Sequence, residues 1–282
     1  MKTIRIIPRL DIKGPNLVKG IHLEGLRVLG KPADFAQYYY ENGADELLFM
    51  DVVASLYGRN SLHDIISETA ENIFIPLTVG GGLRTLDDIK SVLRAGADKV
   101  CLNTGAIKNP KIIEEAVKKF GSSTIVISIE AIKQENGEHF CFTDNGREYT
   151  GIEAVSWVKK VQELGAGEII ITSVDREGTG KGFDEELISK VSKIAEVPLV
   201  IHGGAGSKNH ISEILKECDV DAVSSSAIFH YDFIKNNKKE VTNAAEGNFD
   251  FLLSGRSVKN IQTSTILELK DFLSQNQINI RK

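Results

Sequence analysis

Short, almost continuously apolar runs alternate along the chain with longer segments whose apolar residues recur at helical spacing. The runs are rich in Ile, Val and Leu, which is typical of parallel strands covered on both faces. They predict strands at Ile4–Leu10, Glu46–Asp51, Ile75–Val79, Lys99–Asn103, Thr124–Glu130, Glu168–Ser173, Leu199–His202 and Ala222–Ser225. The helical segments between them include Asp34–Asn42, Leu86–Arg94, Asn109–Phe120, Ile152–Leu164, Asp184–Ala195 and Ser207–Cys218. This alternation predicts an α/β protein with either a closed parallel barrel or a doubly wound sheet.

An internal repeat decides between the two architectures. The strand-end segments IIPRLDIK, GADELLFMDV, IPLTVGGG and ADKVCLNTGAI of the first half match IVISIEAIK, GAGEIIITSVD, VPLVIHGGAG and VDAVSSSAIF of the second half, in the same order. Two such halves close naturally into an eight-stranded ring, whereas a doubly wound sheet has no reason to repeat all four strand ends. We therefore predict a (β/α)8 TIM barrel built from two similar (βα)4 halves, as one domain over residues 1–282.

Three segments interrupt the alternation. Residues 12–30 and 134–150 predict long loops after the first and fifth strands, the second containing a small hairpin at His139–Asp144 with its turn at Asn145 and Gly146. Loops after barrel strands lie at the mouth where active sites form, so we expect both to act as lids. Residues 236–262 are polar and predict an insertion before a last helix at Thr263–Gln275.

The overall charge and the cysteines narrow the class of protein. A formal net charge of −5 offers no basic surface for nucleic acid. The sequence has no apolar run of membrane-spanning length and no signal sequence, so we expect a cytoplasmic protein that does not bind a membrane. Cys101, Cys141 and Cys218 are widely separated and include no CxxC pair, which favours reduced thiols over a disulfide or metal framework. We expect neither a metal nor a cofactor.

Glycines and hydroxyl-bearing residues end four strands at matching positions of the two halves. Backbone N–H groups at such glycines approach an anion closely, and Asn, Thr and Ser add donors. One glycine pair alone is consistent with a tight turn, but two matching sets indicate a substrate with a phosphate at each end. The predicted phosphate contacts are Gly81, Gly82, Asn103 and Thr104 in the first half, and Gly203, Gly204, Ser225 and Ser226 in the second.

Two carboxylates end opposite strands of the predicted ring. Asp11 closes the first strand and Glu130 closes the fifth, at the same point of the repeat. Two acids between two phosphate sites are suited to general acid–base catalysis on the middle of the substrate. Lys19, in the first long loop, is a further candidate that would fold over the substrate.

Charged residues also begin four of the predicted strands, at the end of the barrel opposite the mouth. Two interpretations fit them equally: salt bridges that plug the barrel bottom, or a charged ring that gates a passage along the axis. These residues are Arg5, Glu46, Lys99 and Glu168.

The segments RLDIKGPNLVKG, DELLFMD, TVGGG, GADKVCLNT and GAGEIIITSVDREGT are similar to the cyclase subunits of imidazole glycerol phosphate synthase, from histidine biosynthesis, and the resemblance covers the chain except residues 236–262. It implies a heterodimer with a glutaminase subunit docked at the barrel bottom. Ammonia would pass along the axis to a bis-phosphorylated ribulosyl formimino substrate, giving imidazole glycerol phosphate and an aminoimidazole carboxamide ribotide. It implies that Asp11 is a catalytic acid or base and that the charged bottom residues are the ammonia gate. We also expect Thr172, Glu177 and Gly178 to bind substrate.

Three residues depart from that family's pattern. Glu130 and Glu177 replace aspartates, and His202 replaces a serine. One extra methylene displaces a carboxylate by roughly an ångström, which weakens a positioned catalyst. An alternative is therefore a paralogue that uses glutamine-derived ammonia to aminate or amidinate a sugar in surface-polysaccharide biosynthesis. A third hypothesis is a non-catalytic scaffold barrel, which Asp11 and the glycine motifs disfavour.

Overall fold

The structure is a computed structural model that describes residues 2–54, 62–237 and 260–281. Its strands are β1 (Arg5–Lys13), β2 (Asn16–Ile21), β3 (Glu24–Gly30), β4 (Leu47–Asp51), β5 (Leu77–Gly80), β6 (Lys99–Leu102), β7 (Ile125–Lys133), β8 (His139–Thr143), β9 (Glu148–Glu153), β10 (Glu168–Ser173), β11 (Leu199–His202) and β12 (Ala222–Ser225). Its helices are α1 (Pro32–Glu41), α2 (His63–Asn72), α3 (Leu86–Arg94), α4 (Thr104–Lys108), α5 (Lys111–Phe120), α6 (Ala154–Glu163), α7 (Glu185–Ser192), α8 (Lys208–Glu217), α9 (Ala227–Asn236) and α10 (Ile266–Gln275).

Eight parallel strands close into a barrel. The ring runs β1-β4-β5-β6-β7-β10-β11-β12, and β12 pairs in turn with β1. The predicted TIM barrel is confirmed. All eight predicted strands are present, three with the predicted bounds and five with ends shifted by a few residues. The carboxyl ends of these strands form one face of the barrel, which we call the mouth.

Side chains of the barrel strands alternate between the two faces of the ring, and every barrel strand except β5 contributes to an apolar cluster on both faces. Along β1, Ile6, Leu10 and Ile12 belong to the large core between the strands and the surrounding helices. Ile7 belongs to a separate small cluster. The members of that cluster contributed by barrel strands are Ile7, Leu48, Met50, Cys101, Val126, Ile170, Val200 and Ala222. Because strand side chains alternate with a period of two, the small cluster lies in the barrel interior, together with buried hydroxyl groups such as those of Ser128 and Ser224. We call it the lumen layer.

The two predicted lid loops are antiparallel ribbons. β2 and β3 extend from β1 and form the first ribbon. The prediction of a long, glycine-containing loop there was therefore wrong, because the backbone of this segment pairs with itself and with β1. β8 and β9 extend from β7 and form the second ribbon, as the hairpin prediction required. Its turn places Asp144, Asn145 and Gly146 at φ of 53°, 64° and 77°, a conformation that Asn and Gly tolerate.

The helices lie outside the ring. Those whose sequence has an amphipathic pattern lie close to their predicted positions. α2, α4 and α9 were not predicted. In α9, seven of the ten residues are buried, so no polar face marks it as a helix. Within the predicted insertion, residues 238–259 lie outside the described residues, and the last helix is confirmed as α10.

No described helix has both the length and the apolar character to cross a membrane. All three cysteines are free and buried.

Candidate active site at the barrel mouth

The two predicted acids lie at equivalent points of the repeat. Asp11 pairs with Val18 where β1 passes into the first ribbon, and Glu130 pairs with Phe142 where β7 passes into the second. Both acids are almost fully buried. Each half therefore presents one carboxyl group inside the mouth at the root of its own ribbon.

Arg9 is a buried cation in this mouth that the sequence did not lead us to predict. Its Nε donates to Oδ1 of Asp11 over 2.7 Å, and its Nη1 lies 3.4 Å from Nδ1 of His202. Burial acts to lower the pKa of Arg9, but the charge of Asp11 holds that pKa above its ordinary value. Burial, with the charges of Arg9 and Lys19, lowers the pKa of His202 well below its usual range. His202 is therefore neutral and accepts the hydrogen bond of Arg9.

The protonation of Glu130 is strongly perturbed by its position in the mouth. Burial raises the pKa of Glu130 to about 7, against the opposing effects of the Arg9 charge and the Gly146 amide. That amide donates to Oε2 of Glu130 over 2.8 Å. A carboxyl group with this pKa exchanges its proton close to neutral pH, which suits a general acid or base.

The first predicted phosphate site lies in a cavity at the ends of β4, β5 and β6. Gly81 has a φ of 108°, and a Cβ there would lie 2.4 Å from the backbone oxygen of Asp51. Only glycine therefore fits this position without moving the strand end. The cavity is lined in part by Arg9, Gly81, Gly82, Asn103, Thr104, Glu130 and Asn145. The structure brings the predicted phosphate contacts of the first half together with Glu130.

The second half repeats this glycine geometry. Gly203 has a φ of 97°, and a Cβ there would lie 2.6 Å from the backbone oxygen of Ser173. The next residue, Gly204, packs as closely against Gly182. Ser225 and Ser226 are buried at the end of β12 and the start of α9. The hydroxyl of Ser226 donates to the carbonyl oxygen of Arg9, which ties this strand end to β1.

The remaining predicted substrate contacts lie where the first ribbon meets the loop after β10. Nζ of Lys19 forms a buried ion pair with Oε1 of Glu177 at 2.6 Å. A Cβ on Gly178 would lie 2.6 Å from the backbone oxygen of Gly20, so the glycine lets the ribbon pack on this loop. Thr172 is fully buried, with its hydroxyl 3.4 Å from Nδ1 of His202. In this conformation Lys19, Glu177 and Gly178 hold the ribbon closed.

The four charged residues at the opposite end of the barrel form a closed ring of ion pairs. Arg5 bridges Glu46 and Glu168 at 2.6 Å each, and Lys99 bridges the same two glutamates at 3.0 Å each. Each cation lies between two carboxylates and each carboxylate between two cations. We call this set the charged ring. The lumen layer lies in the barrel interior between it and the mouth.

Arg9 and Asn145 line the mouth, although neither was predicted. The available signal for Arg9 was its spacing. Arg5, Ile7, Arg9 and Asp11 share the inward face of β1 at a period of two, so a charged residue there had to enter the barrel interior. Asn145 was assigned only to a turn, and its approach to the mouth depends on how the second ribbon folds back.

Comparisons with known proteins agree with this architecture. A family model described as "Histidine biosynthesis protein" matches residues 5–235. The chain is 56% identical over 206 residues to the imidazole glycerol phosphate synthase subunit HisF of Legionella pneumophila, covering 73% of this chain and 97% of that protein. It is 46% identical over 227 residues to the protein of the same name from Bacillus cereus strain AH187, covering 80% and 90% of the two chains. These matches lend no support to the sugar-modifying or scaffold hypotheses. The chain belongs to the histidine biosynthesis protein family.

Proposed function

We propose that this chain is the ammonia-dependent cyclase subunit of an imidazole glycerol phosphate synthase. The observation that carries the proposal is the pair Asp11 and Glu130, two buried acids at equivalent strand positions. Glycine-built strand ends in each half flank them at the mouth. A barrel with this duplicated site fits a substrate that carries a phosphate at each end and reacts in the middle.

The two acids have different environments and so different roles. Asp11 is ion-paired with Arg9 and is the second carboxyl group that takes part in proton transfer. Glu130, with its pKa raised to about 7, both gives and takes a proton near neutral pH. Two carboxyl groups in unlike surroundings divide acid and base work in this way.

The phosphate groups bind at the two glycine-built ends. In the first half we assign Gly81, Gly82, Asn103 and Thr104, which share one cavity with Glu130. In the second half we assign Gly203, Gly204, Ser225 and Ser226. Lys19, Thr172, Glu177 and Gly178 complete the substrate contacts. For a long substrate to reach the mouth, the first ribbon must first move away from Glu177.

Ammonia reaches the mouth from the bottom of the barrel. A glutaminase subunit docks there, and the charged ring of Arg5, Glu46, Lys99 and Glu168 is the gate that ammonia passes. The lumen layer above the ring is apolar, so it admits a small neutral molecule more readily than an ion. The protein works in the cytoplasm, without metal or cofactor.

The test uses the purified chain with an ammonium salt at high pH, where free ammonia replaces the glutaminase. The measurement is the loss of the bis-phosphorylated formimino substrate. We expect turnover by the wild-type chain and a decrease of about a hundredfold or more for Asp11→Asn. The control is Asp98→Asn, since the Asp98 side chain accepts the backbone amide of Leu77 at the start of β5, away from the mouth. No turnover by the wild-type chain, or unchanged turnover by Asp11→Asn, contradicts the proposal.

A further inference from the structure

Arg9 presents one hydrogen-bond donor, Nη2, for which the described part of the chain offers no acceptor. The side chain is 1% exposed and lines the same cavity as Glu130 and Thr104. Its Nε and Nη1 face Asp11 and His202. Nη2 is buried and has no hydrogen-bond partner among the described residues. Burying such a donor is unfavourable, so a free N–H fixed in a catalytic cavity points to a ligand atom that completes it.

The charges around Arg9 limit what this ligand atom is. The guanidinium of Arg9 is already paired with Asp11. Its electrostatic interactions with Glu130 and Glu177 also raise its pKa. A phosphate placed at Nη2 would face these carboxyl groups and suffer repulsion from those that are ionised. The glycine-built strand ends offer backbone N–H groups for phosphates instead. An uncharged oxygen that gains negative charge only during the reaction fits the position better.

We propose that Nη2 of Arg9 binds the ketone oxygen of the ribulosyl part of the substrate and stabilises the charge that develops there when ammonia adds. This inference rests on the proposed function. Arg9 thereby becomes a catalytic residue of the mouth, beside the two carboxyl groups.

The addition of ammonia to the ketone needs only the atoms and electrons of ammonia, the substrate and the side chains of the mouth. The nitrogen of ammonia forms a bond to the ketone carbon, and the π electron pair of the C=O bond moves to the oxygen. Arg9 donates its hydrogen bond to that oxygen while the charge builds. The surplus proton on nitrogen then passes through Glu130 or Asp11 to the oxygen, which leaves a neutral carbinolamine. No oxidant, reductant or metal takes part.

Two variants separate the donor geometry from the charge. Arg9→Met removes both at similar length, whereas Arg9→Lys keeps a cation for Asp11 but lacks the planar fork. With ammonia, we expect both variants to lose about a hundredfold in kcat, the usual effect of removing one such donor, with a much smaller change in KM. Because the charge of Arg9 lowers the pKa of Glu130, the pH inflection of kcat should move to higher pH in Arg9→Met and stay near its wild-type position in Arg9→Lys. Binding of inorganic phosphate should be unchanged in both.

Each outcome decides the matter. If Arg9→Met does not fold, Arg9→Lys still answers, because it retains the ionic partner of Asp11. Wild-type kcat in Arg9→Lys shows that a point charge suffices and overturns the role of Nη2. A loss confined to KM or to phosphate binding assigns Arg9 to ground-state binding and also overturns it. If the wild-type chain itself shows no turnover, the proposed function fails and this inference fails with it. If the wild-type chain is active and Arg9→Met is equally active, this inference alone fails.

Discussion

Nζ of Lys19 lies 2.6 Å from Oε1 of Glu177, and both side chains are about 2% exposed. This ion pair joins the first ribbon to the loop after β10. Near it, the backbone amide of His22 donates to the carbonyl oxygen of Glu177 over 2.9 Å. The first ribbon is thus closed over the mouth by a buried ion pair rather than by apolar packing alone.

Glu177→Gln should open this closure. The variant leaves the Lys19 cation buried without its ionic partner, which typically costs about 3 kcal/mol or more. We expect the free energy of unfolding in urea to fall by about that amount, and amides of β2 and β3 to exchange hydrogen faster. The control is Glu186→Gln, which breaks solvent-exposed pairs with Lys133 and Lys190 and should change little. Equal effects of the two variants would contradict a latch at Glu177.

Glu130 should make the stability depend on pH. Its pKa is raised from 4.5 to about 7 in the folded protein, so the folded state binds this proton more tightly. The associated stabilisation is complete below pH 4.5 and is lost as pH rises through 7. It amounts to about 3 kcal/mol at most. Glu130→Gln removes this dependence.

The measurement is the free energy of unfolding of both proteins from pH 4 to pH 8. We expect the variant to gain stability relative to the wild-type protein through this range and the difference to level off above it. Because all other titrating groups are shared, the difference isolates Glu130. A difference that stays constant with pH would show that Glu130 titrates normally.

Gly81→Ala should distort the proposed first phosphate site. A Cβ 2.4 Å from the backbone oxygen of Asp51 forces the end of β5 away from β4. We expect a loss of about 2 kcal/mol or more in stability together with weaker binding of inorganic phosphate, measured by calorimetry. Gly121→Ala is the matched control, since Gly121 has a φ of 88° with open space around its Cβ position. It should show backbone strain without any effect on phosphate, and a similar loss of phosphate binding in both variants would refute the assignment.

Lys99→Met should distinguish a gate from a plug. It opens the charged ring and leaves Glu46 and Glu168 with Arg5 as their shared cation. If the ring controls the passage of ammonia, turnover with glutamine and the glutaminase subunit should change by about tenfold or more relative to turnover with added ammonia. If the ring is only structural, both rates should change in parallel with the loss of stability.

The sequence predicted an element of the fold wherever the local pattern of apolar residues matches the way that element is packed. The barrel strands were predictable because a run such as residues 168–173 is buried on both faces and so is apolar throughout. The repeat predicted the equivalent strand positions of Asp11 and Glu130, because a repeat relates distant positions and does not depend on local propensity. The first ribbon was mistaken for a loop because its strands pair over the mouth and carry no continuous apolar run. The contact of Arg9 with His202 joins β1 to β11 and is a tertiary contact that no spacing along the chain specifies.

Both ribbons begin at the acids themselves. The ladder pair that starts the first ribbon contains Asp11, and the pair that starts the second contains Glu130. The ribbons also touch, since Nδ2 of Asn145 donates to the carbonyl oxygen of Leu23 over 2.7 Å. A ribbon that swings outward therefore pulls on the strand residue that carries its acid. We therefore expect each carboxyl group to keep the position seen here only while its own ribbon covers the mouth.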